Sequence, residues 1–339
     1  MNRKDDHLRL ALQENVLVND FDRVRFVPES LPGVNPQDVD LSVELFGRIF
    51  EHRVYINAMT GGSKQGEAIN LKLAELAHRC GLPMATGSVS AAIKDPQWLP
   101  GFQAIRTIHP SGFLMANVGL SQNADGANKA IEILSADALQ IHLNAAQEIT
   151  MPEGDVDFQT WEERLQNIVK NIPVPVILKE TGSGMSRKTM ERLIAMGIRH
   201  IDVSGRGGTN FIHIENQRRI HPMETFESHG LSTVESLLEA KGLPVVLFAS
   251  GGVRGAYDIV KALALGAEMV GMSGHFLRLV NEHPLEEAVA ATNQLLFDVK
   301  AILAVLDCKN VSELRRVPIL LDSTLTTFLA QRSTPIPQK

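Results

Sequence analysis

Short apolar runs alternate along this chain with amphipathic stretches of helix length. The apolar runs fall at residues 54–58, 83–86, 112–116, 138–143, 174–179, 200–203, 245–249 and 269–272. Between them, residues 66–79, 124–134, 160–171, 186–195, 233–240 and 256–264 have amphipathic, helix-like character. Strands that alternate with helices pair in parallel through crossovers. Eight such strands predict an α/β fold of (β/α)8 type, a TIM barrel. The slot for the second helix, between Thr86 and Gly112, is the weakest, because Pro96, Pro100 and Gly101 interrupt it. Residues 205–230 form the one large insertion, between strands six and seven. Residues 5–15 have helical spacing, with Leu8 and Leu12 on one side, and residues 21–50 read as a wrapping segment rich in Pro, Asp and Gly. No low-complexity linker divides the chain. One domain over 1–339 is expected: an N-terminal extension (1–50), the barrel (51–280) and a C-terminal helical part (281–339).

The fourth strand is half polar. Leu139, Ile141 and Leu143 alternate with Gln140, His142 and Asn144, so one face is aliphatic and the other carries two amides and an imidazole. Gln147 and Glu148 follow on the loop above. Such a face needs partners, structural or bound. Barrel active sites lie at the C-terminal strand ends. All eight ends here carry small or polar residues, and all but the fourth carry glycine.

Composition narrows the class. The chain of 339 residues is 44% hydrophobic, enough for a large core, and its net charge of −6 gives no global basic field for nucleic acid or an acidic membrane. Aromatics at 5% are too few for base stacking. Cys80 and Cys308 are the only cysteines, so no zinc finger or disulfide framework is implied. The charged N-terminus has no apolar stretch of signal-peptide type behind it. Residues 285–306 are apolar but broken by Glu286, Glu287, Asn293, Gln294, Asp298 and Lys300, which reads as an amphipathic helix and not a membrane span. A soluble, cytoplasmic protein without nucleic-acid or membrane partners is expected.

Candidate chemistry gathers at the strand ends. Gly251-Gly252 and Ser273-Gly274 close the last two strands, the usual phosphate cradle of barrels, and Ser204 and Thr209 add hydroxyls. Two ordinary tight turns are the alternative; the paired positions favour phosphate. Gly61-Gly62, Ser88, Asn117 and Lys179 could bond the edge of a flat heterocycle. Asn117 as a turn cap and Lys179 as an ion-pair partner are the competing readings. Cradle plus ring-edge donors indicate FMN. No strand–GxGxxG–helix unit supports a Rossmann-bound dinucleotide, and Gly182-Ser183-Gly184-Met185-Ser186-Arg187 lacks the third glycine. Arg3 or Lys4 shares a helical face with His7, either as a basic segment over the mouth that holds a diphosphate or as a solvated terminus. Glu148 is the best candidate for Mg²⁺, which one carboxylate holds only with substrate oxygens and water, or else it is a solvated carboxylate. His142 is either a satisfied core histidine or a mouth residue beside Asn144.

In ordered combination these pieces resemble the type 2 isopentenyl-diphosphate isomerases. The resemblance runs from Arg3-Lys4-Asp5-Asp6-His7 through Ala58-Met59-Thr60-Gly61-Gly62, Thr86-Gly87-Ser88, Ala116-Asn117-Val118-Gly119 and Gln140-Ile141-His142-Leu143-Asn144-Ala145-Ala146-Gln147-Glu148. It continues through Met151-Pro152-Glu153-Gly154-Asp155, Lys179-Glu180, Gly207-Gly208-Thr209-Asn210-Phe211, Ile214-Glu215-Asn216, Ala249-Ser250-Gly251-Gly252 and Gly274-His275-Phe276-Leu277. Val89 and Ser273 are small departures from the family pattern.

The resemblance implies interconversion of isopentenyl and dimethylallyl diphosphate with reduced FMN, Mg²⁺ and NADPH to reduce the flavin. It assigns FMN to Ala58, Met59, Thr60, Ser88, Asn117, Lys179, Ser204, Thr209, Gly251, Gly252, Ser273 and Gly274. It assigns substrate to Arg3, Lys4, Ser90, His142, Asn144 and Gln147, with Gln147, His142 and Asn144 as the catalytic set, and Mg²⁺ to Glu148. A homotetramer or homo-octamer is also implied. The reaction is a proton shift across an allyl unit whose C–H bonds have no useful acidity. Protonation of the alkene must therefore come first, with acid and base held roughly 3–3.5 Å from carbon. The competing reading is an FMN-dependent 2-hydroxy-acid oxidase, which shares the barrel. Those enzymes resemble one another in a Ser-Asn-His-Gly-Gly-Arg stretch, where this chain has Arg206 in the His place and Thr209 in the Arg place.

Overall fold

A computed structural model describes residues 5, 8–10, 12, 19–59 and 61–333. Eight parallel strands close into a barrel: β1 Val54–Ile56, β2 Met84–Ala85, β3 Leu114–Gly119, β4 Ala138–Leu143, β5 Val176–Glu180, β6 His200–Asp202, β7 Val246–Ala249 and β8 Met269–Met272. Each pairs with its sequence neighbour, and β8 pairs with β1 (Gly271 beside Tyr55) to complete the ring. The outer helices are α1 Lys64–Cys80, α2 Leu99–Ile108, α3 Ala124–Leu134, α4 Trp161–Asn171, α5 Arg187–Ala195, α6 Thr233–Glu239, α7 Ala256–Ala264 and α8 Gly274–Glu282, followed by α9 Leu285–Val305.

Local chemistry explains the boundaries. Ser63, Asn123, Ser186 and Ser232 each accept a backbone N–H at a helix start, which satisfies one of the donors left orphaned there. The doubtful second slot does hold α2. Pro100 falls in its first turn, where a missing N–H costs nothing, and Gly101 permits close packing on Glu67.

Two apolar layers result. The helices bury Leu73, Leu76, Ile105, Ile131, Leu193 and Leu263 against the outside of the barrel. Inside, Tyr55, Met115, Ile177, Phe248 and Met269 fill the lower barrel. A hairpin of Val43–Leu45 and Arg48–Phe50 plugs its lower end, with Phe46 stacked on Phe113 and against His200. The interior is thus packed below and polar above, so a ligand can enter only at the C-terminal mouth.

The terminal segments differ from expectation in one respect. The C-terminal part is not all helix: Ile319–Leu321 pairs antiparallel with Val24–Phe26 of the N-terminal extension. Asp5, Leu8, Arg9, Leu10 and Leu12 are helical, and Leu8 is buried. By length and composition α9 would suffice to cross a membrane, but half of its apolar window is buried, and it packs on α1 and α7.

Candidate active site

A cavity of about 270 Å³ opens at the barrel mouth, and all eight strand ends contribute to its wall. Strand register builds its polar side. Gly119 lies beside His142, His142 beside Lys179, and Lys179 beside Asp202. Side chains two apart on a strand share a face, so Gln140 sits one layer below His142 on the inward face of β4 and is fully buried.

The segment after β4 is a short helix, Ala145–Thr150, rather than the expected loop. Helical spacing of three and four residues brings Asn144, Gln147 and Glu148 to one face. Asn144 Nδ2 donates to Glu148 Oε1 at 2.8 Å and to Gln147 Oε1 at 3.3 Å. Glu148 Oε2 accepts the Asp155 N–H at 2.7 Å. That fold-back depends on Gly154, where a Cβ would lie 1.8 Å from the Glu148 carbonyl oxygen. Gln147 Nε2 donates to Glu215 Oε1 at 3.2 Å. Glu215 is wholly buried on the helix Phe211–Asn216 within the large insertion, and it is ion-paired with Arg218. Both ends of the Gln147 amide are therefore held.

On the neighbouring strand β5, Lys179 is buried and donates to the Glu180 carbonyl at 2.7 Å and the Ser204 hydroxyl at 3.0 Å. Among the described residues it makes no hydrogen bond to a carboxylate. Burial pulls its ammonium below the usual lysine range, against the negative charges of Asp202 and Glu180. Asn117 is no turn cap either: it lies within β3 and bonds Gln140 and His142. Ser88 and Ser90 share a hydroxyl hydrogen bond at 3.0 Å, and Ser273 Oγ donates to the Ala58 carbonyl at 3.2 Å.

The expected phosphate cradle is built from three loops and the N-terminal extension. Gly251 and Gly252 have φ of 90° and 75°, in the left-handed region. A Cβ on Gly252 would stand 2.6 Å from the Gly207 carbonyl oxygen and 2.9 Å from Asn19 Nδ2. Beside them α8 begins at Gly274 with no side-chain cap, so no capping side chain satisfies the first N–H groups, which have no intrahelical acceptor, at the cavity wall. An uncapped helix start, a paired-glycine turn and a buried lysine form a donor set that fits the phosphate and the electron-rich ring edge of FMN.

The cavity brings together Ala58, Met59, Ser88, Asn117, Lys179, Ser204, Thr209, Gly251, Gly252, Ser273 and Gly274, the expected flavin set. It also brings together Ser90, His142, Asn144, Gln147 and Glu148, the expected substrate and metal set. Arg3, Lys4, His7 and Thr60 lie outside the described residues. Sequence reasoning assigned no role to Glu215, Asn19, Lys94, Trp161 or His275. Lys94 and His275 line the mouth, as does Trp161, whose buried indole Nε1 has no partner among the described residues. Burial and the charge of Arg278 lower His275 to about 4. Among the described residues no group of three or more His, Cys, Asp or Glu stands as a preformed metal site.

The family model for FMN-dependent dehydrogenases matches residues 114–320. The isopentenyl-diphosphate delta-isomerase of Staphylococcus aureus (strain MSSA476) is 42% identical over 335 residues, covering 98% of this chain and 96% of the relative. That of strain JH9 aligns with the same identity and coverage. Among solved structures, a flavocytochrome b2 variant with pyruvate bound shares the fold at TM-score 0.66 and 20% identity, covering 99% of this chain and 82% of that one. A mandelate oxidase variant with an FMN adduct does so at TM-score 0.62 and 18% identity, covering 94% and 92%. At such identities these two show the barrel alone, whereas the near-complete alignment at 42% shows more. The chain belongs to the FMN-dependent, type 2 isopentenyl-diphosphate delta-isomerase family.

Proposed function

We propose that this protein interconverts isopentenyl and dimethylallyl diphosphate by a 1,3-allylic proton shift, with FMN kept reduced by NADPH and Mg²⁺ on the substrate diphosphate. One observation carries the reading: a single cavity opposes His142, Asn144, Gln147 and Glu148 to the loops of the expected phosphate cradle, with Lys179 beside His142 on the next strand. The family membership agrees.

The flavin phosphate would rest on Gly251, Gly252, Ser273 and Gly274, with Ser204 and Thr209 beside it. Ala58, Met59, Ser88, Asn117 and Lys179 would hold the ring. When bound, reduced FMN supplies an acid–base group and an electron-rich face. The protein's own residues do the rest. Glu148 would ligate Mg²⁺ together with diphosphate oxygens and water, since a lone carboxylate does not hold that ion tightly. His142, Asn144 and Ser90 would position the substrate, and Lys94 adds a cation at the same mouth. Gln147 is a poor acid, but its amide is clamped by Asn144 and Glu215, which suits orientation of the alkene within reach of the reacting proton. Arg3 and Lys4 would cover the diphosphate. The enzyme would work in the cytoplasm as a homotetramer or homo-octamer, a point that light scattering on the purified protein checks.

The oxidase alternative lacks its base and carboxylate clamp. Arg206, in the histidine place, turns outward and donates to the Ser228 carbonyl at 2.9 Å. Anaerobic conversion of isopentenyl diphosphate in the presence of FMN, NADPH and Mg²⁺, with no oxidation of lactate or mandelate, distinguishes the two.

A further inference from the structure

Beneath the mouth, one hydrogen-bonded chain crosses the barrel from β6 to β4. Its root is Asp202, which is fully buried. The Asp202 carboxylate accepts from Tyr55 Oη at 2.7 Å, from Ser250 Oγ at 2.8 and 2.9 Å, from the Ser204 N–H at 3.2 Å and from Asn57 Nδ2 at 3.1 Å. Asn57 Oδ1 accepts the Ala58 N–H at 2.8 Å and Gln140 Nε2 at 3.3 Å. Gln140 Oε1 accepts Asn117 Nδ2 at 3.2 Å. Asn117 Oδ1 then meets His142 Nδ1 at 2.8 Å.

The direction of every link is dictated by its ends. An amide's oxygen and nitrogen are told apart only by their partners. Asn57 is anchored twice, because a carboxylate can only accept and a backbone N–H can only donate. Its oxygen therefore faces Gln140, so Gln140 must turn its NH₂ to Asn57 and its oxygen to Asn117. Asn117 must then turn its NH₂ to Gln140 and its oxygen to His142. An oxygen facing Nδ1 requires a proton on that nitrogen.

We propose that Asp202, Asn57 and Gln140 are positioning residues that fix neutral His142 in its Nδ1–H tautomer, so that Nε2 is the basic nitrogen of the ring. The second nitrogen of an imidazole is set by the bond the first one makes. On the substrate-side reading of His142 given above, on which this role rests, Nε2 is then an acceptor for a donor on the substrate side, such as a metal-bound water. The chain places that choice three residues deep in the barrel, where solvent cannot compete.

The test is nitrogen NMR on the FMN-loaded protein labelled at histidine, with the His142 signals identified by their loss in His142→Gln. The neutral ring should show a protonated Nδ1 and an unprotonated Nε2, in excess by about ten to one or more. Gln140→Met removes the acceptor for Asn117 and should bring the two tautomers to comparable populations. Gln140→Glu keeps an acceptor toward Asn117 in either protonation state and should retain the wild-type tautomer. A wild-type His142 that carries its proton on Nε2, or a Gln140→Met protein with the wild-type spectrum, overturns the proposal. The wild-type and Gln140→Glu measurements stand if Gln140→Met does not fold. No substrate is present in any of these spectra, so their failure is distinct from failure of the isomerase reading.

Discussion

Asn19 Nδ2 donates to the carbonyl oxygen of Gly252 at 2.6 Å, across 233 positions of sequence. The same NH₂ group reaches the Gly207 carbonyl at 3.4 Å, and Asn19 Oδ1 caps the short helix Asp20–Arg23 by accepting from Phe21 N–H. Asp22 in that helix pairs with Arg254 at 2.6 Å, while Phe21 is buried and its carbonyl accepts from Lys261. The N-terminal extension is thereby latched to two of the three loops of the expected phosphate cradle. Asn19→Ala should loosen both carbonyls and weaken FMN binding about tenfold, the worth of one well-made hydrogen bond of about 1.4 kcal/mol. Fluorescence titration of FMN into the stripped protein measures it. Unchanged affinity would mean the latch does not hold the cradle.

Glu148 and the flavin cradle lie on opposite sides of the cavity. Glu148→Gln keeps the size of the side chain and an oxygen that can accept from Asn144 or the Asp155 N–H, but removes the charge that attracts a hard cation. The Mg²⁺ concentration for half-maximal activity should rise at least about tenfold, with FMN affinity unchanged. Loss of flavin with a normal Mg²⁺ response would contradict the assignment.

Glu215 holds Gln147 and neutralises Arg218 from a wholly buried position. Glu215→Ala leaves Arg218 with Glu153 as its remaining carboxylate and releases the Nε2 end of the Gln147 amide. Denaturant melts should show a loss of about 2 kcal/mol, the scale of a charge-assisted hydrogen bond. Gln147→Ala should leave stability within about 1 kcal/mol, as for a partly exposed side chain, while activity falls at least about tenfold. Equal activity loss without any stability difference between the two would sink this division of roles.

His275 sets an acid limit. Folded, it takes a proton only near pH 4, whereas an unperturbed histidine does so near 6.5. Between those values the unfolded chain binds more protons than the folded one, so this contribution is complete above about 6.5 and is lost as pH falls toward 4. The loss amounts to about 3 kcal/mol. His275→Asn should flatten the acid limb of a stability-against-pH curve measured on flavin-free protein. An unchanged limb would show that other groups govern it.

The alternation of apolar runs and amphipathic stretches made the barrel legible, because period and length survive without tertiary information. β4, β8, α3 and α7 fall on the expected residues. Mouth residues were legible for the same reason: a strand end in a barrel has only one place to be. The pairing of Val24–Phe26 with Ile319–Leu321 was not, since three residues carry no period and the partners are at opposite ends of the chain. Pro100 concealed α2, because a proline in the first turn and one in the interior look alike in sequence. The chain from Asp202 through Asn57 and Gln140 to Asn117 needs the register of separate strands, which no local pattern specifies. Glu215 stood within a familiar motif, but its contact with Gln147 depends on how the large insertion folds back.

The most direct measurement is anaerobic turnover of isopentenyl diphosphate by the purified protein with FMN, NADPH and Mg²⁺. Dimethylallyl diphosphate should form only when reduced FMN and Mg²⁺ are both present, with no net consumption of NADPH beyond flavin reduction. Isomerisation that persists after the flavin is removed, or its complete absence with every component supplied, would contradict the account.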